Sequence, residues 1–330
     1  MSKIWTAFAL LISLAGSAAA TPVLTGVNLA GAEFGGLKGV HGKQYIYPSD
    51  AEIAAFERLG VTVFRVPVRW ERLQPVLGGA LDEAELARLD RVIETAGASD
   101  ISVIVDVHNY ARYRREALGS PTVPTASLGQ LWERLAARYK RDPRVIFGLM
   151  NEPIGIGAAD WAKVVTGVLA RIRATGATNL VLVPGVNWSG AHSWRKRVGI
   201  MSNAEAMTGL VDPARNIAFD FHQYFDGNSS GLTAQCVPIA EAERRLMVAT
   251  LWLRETGQRG FLSEFNVAPS PECQPVLRAA LALMARNPEW LGWTLWASSA
   301  WFGTYTMNLY PLQAVQPPQL ATMRPFLAPR

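Results

Sequence analysis

An α/β fold of the (β/α)₈ TIM-barrel type, built as a single domain, is what this sequence predicts, and three observations predict it. Eight short runs rich in Val, Ile, Leu or Phe lie near residues 23–29, 61–67, 101–107, 144–150, 179–185, 216–222, 260–265 and 290–297. They are nearly continuously apolar, as parallel strands buried on both faces should be. Helical patterns fill most of the gaps, and strand–helix alternation repeated about eight times closes into a barrel. A chain of 330 residues holds such a barrel as one unit. There is no internal repeat, and no Pro/Ser/Thr linker marks an appended module.

Residues 1–20 stand apart. Lys3 is their one charged side chain, Ile4 to Leu14 is largely apolar, and Ala18-Ala19-Ala20 supplies small residues for cleavage. This three-part order predicts a signal peptide, with residues 21–330 as the catalytic barrel. The apolar run is short for a membrane span. The expectation is therefore a secreted protein, extracellular or periplasmic, with no membrane association after cleavage. Further along, Ser49-x-x-Glu52 and Ser127-x-x-Gln130 read as capping boxes that open helices. Asp82 starts another helix, with Leu86, Leu89 and Ile93 on one face. Ser270-Pro271 reads as an N-cap followed by proline at the first helical position.

Cys236 and Cys273 are the only cysteines. An even count in an exported chain favours a disulfide, and closing that loop would contribute about 3–4 kcal/mol. The net charge is +5, and the basic clusters (Arg112/Arg114/Arg115, Arg195/Lys196/Arg197, Arg244/Arg245) are short and scattered. They read as solvated faces, not as a nucleic-acid footprint.

The chemistry is written where the strands end. Strand two brings Arg65, then Val66-Pro67-Val68-Arg69-Trp70. Strand three ends in Asp106-Val107-His108-Asn109-Tyr110, strand four in Asn151-Glu152-Pro153, and strand six in His222-Gln223-Tyr224. Strand seven carries Glu264 and strand eight Trp296. In a parallel barrel these ends share one face, so residues far apart in sequence converge. Glu152 and Glu264 are then the carboxylate pair that glycoside hydrolysis needs. One must be protonated to serve the leaving oxygen, and the other ionised to attack the anomeric carbon. Nearby cations and hydroxyl donors hold a carboxylate in its charged form, and Arg65 and Tyr224 suit that task. Trp188, Trp194, Trp296 and Trp301 fall in or beside strand-end loops, where flat rings can stack on sugars. Trp290 and Trp293 read as core. No HxH pair, HExxH motif or Gly-rich phosphate loop is present, so neither a metal nor a cofactor is expected.

Several stretches resemble glycoside hydrolase family 5, and within it the secreted endo-β-1,4-glucanases of fungal and bacterial type. They are Gly26-Val27-Asn28-Leu29-Ala30-Gly31-Ala32-Glu33-Phe34, Phe64-Arg65-Val66-Pro67, Asp106-Val107-His108-Asn109-Tyr110-Ala111-Arg112-Tyr113, Trp188-Ser189-Gly190-Ala191-His192-Ser193-Trp194 and Trp301-Phe302-Gly303-Thr304-Tyr305, together with Glu264. The likeness covers residues 23–311. It implies that Glu152 is the general acid/base and Glu264 the nucleophile. It implies that Asn151 bonds the 2-hydroxyl of the attacked sugar and that Arg65 and Tyr224 orient Glu264. His222 would stand near Glu152, His108 would touch hydroxyls of the same sugar, and Trp296 would form its platform. Asn109, Trp188 and His192, within the quoted stretches, are expected to bind substrate or support the site. In relatives a cysteine after the strand-six loop pairs with one opening the helix after strand seven, the places of Cys236 and Cys273.

Two departures stand out. Val107 replaces a proline common in relatives, and Phe265-Asn266 follows Glu264 where many have a glycine-rich turn or Phe-Gly. Both bear on subsite shape rather than on the reaction. The implied activity is retaining cleavage of internal bonds in cellulose and related β-glucans by a monomer whose partner is the polysaccharide or oligosaccharide substrate. The same machinery would serve mannan, xyloglucan or mixed-linkage β-glucan, or a transglycosylase. A silent carbohydrate-binding barrel fits poorly with two glutamates and their supports all present.

Overall fold

Each strand of the barrel is read inward at every second residue, and this alternation builds the site from the floor up. The computed structural model describes residues 24–327, so the expected signal peptide at 1–20 lies outside the described residues. Eight strands form a closed sheet: β1 (Leu24–Leu29), β2 (Val63–Val68), β3 (Ser102–Val107), β4 (Val145–Gly148), β5 (Val181–Pro184), β6 (Ile217–His222), β7 (Gly260–Phe265) and β8 (Trp290–Ser298). Neighbours pair in parallel all round, with β8 closing onto β1. All eight expected strands are there.

The inner floor is apolar. Val63, Ile104, Ile146, Leu182, Ala218 and Phe261, one from each of β2 to β7, pack into a separate interior cluster. Two residues further along the same strands the inward positions are Arg65, Asp106, Gly148, Pro184, Asp220 and Ser263. The polar layer is thus a consequence of strand period: it sits one pleat above a dry plug. The outward positions, including Val66, Val103, Val105, Phe219 and Leu262, join the larger core under the helices. At β1 the approach of its neighbours is very close. A Cβ on Gly26 would lie 1.7 Å from the Val63 carbonyl oxygen, so only glycine fits there.

Long helices follow most strands: Asp50–Leu59, Glu83–Gly97, Ala126–Tyr139, Ala158–Ala174, Ile239–Thr256 and Gln274–Arg286. Ser49 and Asp82 cap as expected, accepting from Glu52 N and Glu85 N. Two expected caps are corrected. Ser127 lies inside the first turn of its helix, which Thr125 precedes without a side-chain cap. The helix after β7 starts at Gln274, with Cys273 at the N-cap and Pro275 in the first turn, so Ser270-Pro271 belongs to the preceding turn. The capping box that pairs both ways is Ser202 with Glu205, on the short helix Asn203–Met207. That helix is the one α-helix between β5 and β6 among the described residues. Much of the remaining chain there forms a loop over the barrel mouth, with a small hairpin at Arg197–Val198 and Met201–Ser202. No helix among the described residues is long and apolar enough to cross a membrane.

Cys236 and Cys273 form a disulfide with Cα atoms 5.5 Å apart, 37 residues apart in sequence. It pins the loop after β6 to the start of the helix after β7, and closing such a loop stabilises by about 3–4 kcal/mol. Reduction should therefore lower the thermal midpoint by several degrees in calorimetry. The unfolded, unreduced protein should titrate no free thiol; two reactive thiols per chain would contradict the bridge.

Candidate active site

Arg65 occupies the middle of β2, inside the barrel, and not the strand end that its sequence position suggested. Its side chain is 1 % exposed and reaches three strands and the turn after β4. Nη1 bonds Asn28 Oδ1 on β1 at 2.8 Å and Glu264 Oε2 on β7 at 3.0 Å. Nη2 bonds Asn151 Oδ1 after β4 at 2.7 Å and lies 3.1 Å from Asp106 Oδ2 on β3. Burial alone would weaken the cation, but Asp106, Glu264 and Asp220 together raise its pKa above the ordinary value. Asp106 also approaches His108 Nδ1 at 2.8 Å. Burial pushes the Asp106 carboxyl up, yet Arg65 and His108 outweigh it and the net shift is downward. Burial likewise opposes a charged His108, but the bond to Asp106 wins and its pKa rises.

Glu264 is held from two sides. Oε2 accepts from Arg65, and Oε1 accepts from the Tyr224 hydroxyl at 3.0 Å. Glu152 has a different environment. Its Oε1 lies 2.8 Å from His222 Nδ1, while His222 Nε2 lies 3.1 Å from Ser263 Oγ. Burial pushes the Glu152 carboxyl up to about 7, against weaker downward pulls from His108 and Arg65. Burial also lowers His222, so the imidazole stays neutral beside it. One carboxylate oxygen from each glutamate and a His222 ring nitrogen all lie within 4.8 Å of one another. The two side chains remain reachable, 15 % and 8 % exposed. Glu152 itself has φ 43°, a left-handed backbone for a non-glycine residue. Such strain costs about 1–3 kcal/mol and is typical of sites where side-chain aim matters.

Trp296 is half-buried and stacks on the His108 ring at 5.5 Å between centroids and 18° between planes. The Tyr110 hydroxyl lies 3.2 Å from His108 Nε2. On the flank formed by the loops after β4, β5 and β6, a cavity of about 570 Å³ opens beside Glu152, Trp188, His192, Lys196 and Tyr224. Trp188 is 53 % exposed there, and Asn187, Trp188 and Ser189 all have positive φ. Gln223 Oε1 holds the His192 backbone N at 3.0 Å and its ring Nδ1 at 3.1 Å. A larger depression of about 770 Å³ between the helices Ala126–Tyr139 and Ala158–Ala174 contains neither glutamate.

The expected residues separate into those that meet and those that do not. Arg65, His108, Asn151, Glu152, His222, Tyr224, Glu264 and Trp296 form one constellation. Asn109 faces inward instead: it accepts from Trp70 N and donates to Glu71 Oε2 and the Arg112 carbonyl, so it braces the loop after β3. Trp194 is corrected from cleft to core; it is fully buried against Phe219, Phe221 and Trp252. Trp290 and Trp293 are core, as expected. Asn28, Asp106, Ser263 and Gln223 take part in the site but were not singled out as site residues. Their signal was a lone polar residue within or at the end of an apolar strand. Among the described residues, Glu152, His222 and Glu264 are also the set whose atoms could close on a metal ion, which would occupy both carboxylates.

Removing Arg65 would take the shared buried cation from Asp106 and Glu264, leaving them only His108 and the Tyr224 hydroxyl. Arg65→Ala should therefore cost about 3–5 kcal/mol in urea unfolding. Arg65→Lys should recover only part of this, because an ammonium cannot reproduce the fork. A loss below about 1 kcal/mol for Arg65→Ala would contradict the network.

The profile of the family described as cellulase (glycosyl hydrolase family 5) matches residues 19–299. A probable endo-beta-1,4-glucanase B of Neosartorya fischeri is 32% identical over 314 residues, covering 92% of this chain and 92% of that protein. The structure of XacCel5A in complex with cellopentaose is similar at a TM-score of 0.90 and 43% identity, covering 93% of this chain and 99% of the other. That of the endo-beta-1,4-glucanase Xac0029 from Xanthomonas axonopodis pv. citri also gives 0.90 and 43%, covering 92% and 98%. With the profile spanning most of the barrel, the chain belongs to glycosyl hydrolase family 5, the cellulase family.

Proposed function

We propose that this enzyme cleaves internal β-1,4 bonds of cellulose and related β-glucans with retention of configuration, using Glu152 as general acid/base and Glu264 as nucleophile. The observation that carries this reading is a pair of carboxyls in close approach with opposite surroundings. Inverting enzymes hold their carboxyls about 6.5–9.5 Å apart to admit a water, and retaining ones about 5–5.5 Å apart. The 4.8 Å limit on the closest-set oxygens favours the second.

The steps follow from the contacts. A Glu264 oxygen attacks the anomeric carbon as the bond to the leaving oxygen breaks, and Glu152 gives that oxygen its proton. Glu152, now ionised, takes a proton from water, whose oxygen displaces Glu264 from the same carbon. Arg65 and Tyr224 hold the two oxygens of Glu264 in place, and burial favours the protonated Glu152 at the start. Asn151 Nδ2 is buried without a partner in the free enzyme. A sugar hydroxyl at that place would satisfy it, consistent with a contact to the 2-hydroxyl. Trp296 offers the platform. The relatives named as endo-beta-1,4-glucanases, and the cellopentaose bound by XacCel5A, support β-glucan as the substrate class. We infer export from residues 1–20, supported by the disulfide.

Proton NMR during early hydrolysis of cellopentaose should show the β-anomer first. Glu264→Gln should lower turnover by several powers of ten. Glu152→Ala should slow natural glycosides far more than activated aryl ones, and added azide should yield a β-glycosyl azide. An α-product from the unaltered enzyme would contradict retention, and an α-azide would mean that the two glutamates exchange roles.

A further inference from the structure

We propose that the flank of the cleft formed by the loops after β1, β2 and β3 holds a carboxylate carried by the substrate, so that the enzyme favours β-1,4-glucan chains bearing uronic-acid units; this rests on the glucanase reading above. A cavity of about 240 Å³ opens there between Leu37, Arg69, Tyr110, Arg112 and Arg115. It adjoins the sugar platform, because the Tyr110 hydroxyl on its wall also meets His108, which stacks on Trp296. Its size is below that of a whole-ligand pocket, about 300 Å³ and more. It suits one substituent.

Three guanidinium groups line it, and none has a carboxylate within ion-pair distance among the described residues. Their fixed contacts are to neutral acceptors. Arg69 Nε donates to the Glu33 carbonyl at 2.6 Å, and Arg112 Nη1 to the Arg115 carbonyl at 2.9 Å. The one acid on the wall, Glu71, is already engaged, by Asn109 Nδ2 at 2.8 Å and by Arg114 N at 2.5 Å. Elsewhere arginines are commonly paired, as Arg91 is with Asp50, Arg173 with Asp212 and Arg254 with Glu289. Arg115, on the cavity wall, has a left-handed backbone. Neutral hydroxyls call for no such concentration of charge. A carboxylate matches the planar fork in shape and sign.

The test compares neutral cellohexaose with cellohexaose oxidised at C6 to glucuronate, in the full enzyme and in the Arg112→Gln/Arg115→Gln double variant. At low salt the enzyme should show a kcat/KM roughly tenfold higher on the oxidised chain, the scale of one good charge-assisted contact. That preference should vanish in the variant and shrink in about 0.5 M salt, where screening is short-ranged, while the rate on the neutral chain stays within about twofold. Equal rates on both chains in the unaltered enzyme would overturn the proposal. So would a preference that the variant keeps, or a variant equally slow on both chains, which would mean that the arginines only hold the loop. Calorimetric binding of the two hexamers reads the same preference without turnover. If cellohexaose is not cleaved at all, it is the glucanase reading that fails, and the binding ratio still decides this one.

Discussion

The buried guanidinium of Arg65 is the contact on which the rest of the site depends. It sits one pleat above an apolar floor and ties β1, β3, β7 and the turn after β4 to β2. A cation there would be prohibitively desolvated alone. Asp106 and Glu264 compensate it, and Arg65 in turn helps hold the Asp106 carboxyl below its ordinary value. The charge balance and the barrel's closure are therefore one problem with one solution. Asn28 shows how tightly it is solved: its Oδ1 accepts from Arg65 while its Nδ2 donates to the carbonyls of Ser263, Thr294 and Leu295 on β7 and β8.

From that network the two glutamates inherit different chemistry. Glu264 follows the polar-layer residue Ser263, where a register shift in β7 breaks the alternation, and has a cation and a phenol bonded to its two oxygens. Glu152 hangs from a strained turn just above, where burial is the largest influence and pushes its carboxyl to about 7. Two identical side chains are thus given unlike surroundings, a cation and a phenol for one and burial for the other. Much of this network is on strands, whereas the loops around it carry left-handed residues at 110–111, 114–115 and 187–189. That division lets a fixed reaction centre serve varied subsites.

Much of this was legible in the sequence because barrel strands are short apolar runs and because catalytic residues must sit at their ends. Glu152, His222, Glu264 and Trp296 stood out for that reason. Arg65 did too, though its true place inside the strand follows only from the pleat. What was not legible has a physical cause in each case. Asn28 and Ser263 look like ordinary strand residues until β1, β7 and β8 are brought together. Trp194 sits next to cleft residues in sequence, yet its ring turns down onto Phe221. Asn109 lies in a motif-like stretch, but its amide is consumed by Trp70, Glu71 and Arg112. The helix starts misread at Ser127 and Ser270 show that a matching spacing does not force a cap when tertiary packing sets the boundary.

The upward push of burial on the Glu152 carboxyl is the central claim, and it can be observed directly. Carbon-13 NMR of the enzyme labelled at glutamate side-chain carboxyls, titrated from pH 4 to pH 9 without substrate, reads each group. The account predicts a carboxyl titrating near 7 that disappears in Glu152→Gln. A Glu152 signal titrating near the ordinary glutamate value, about 4.3, would contradict it.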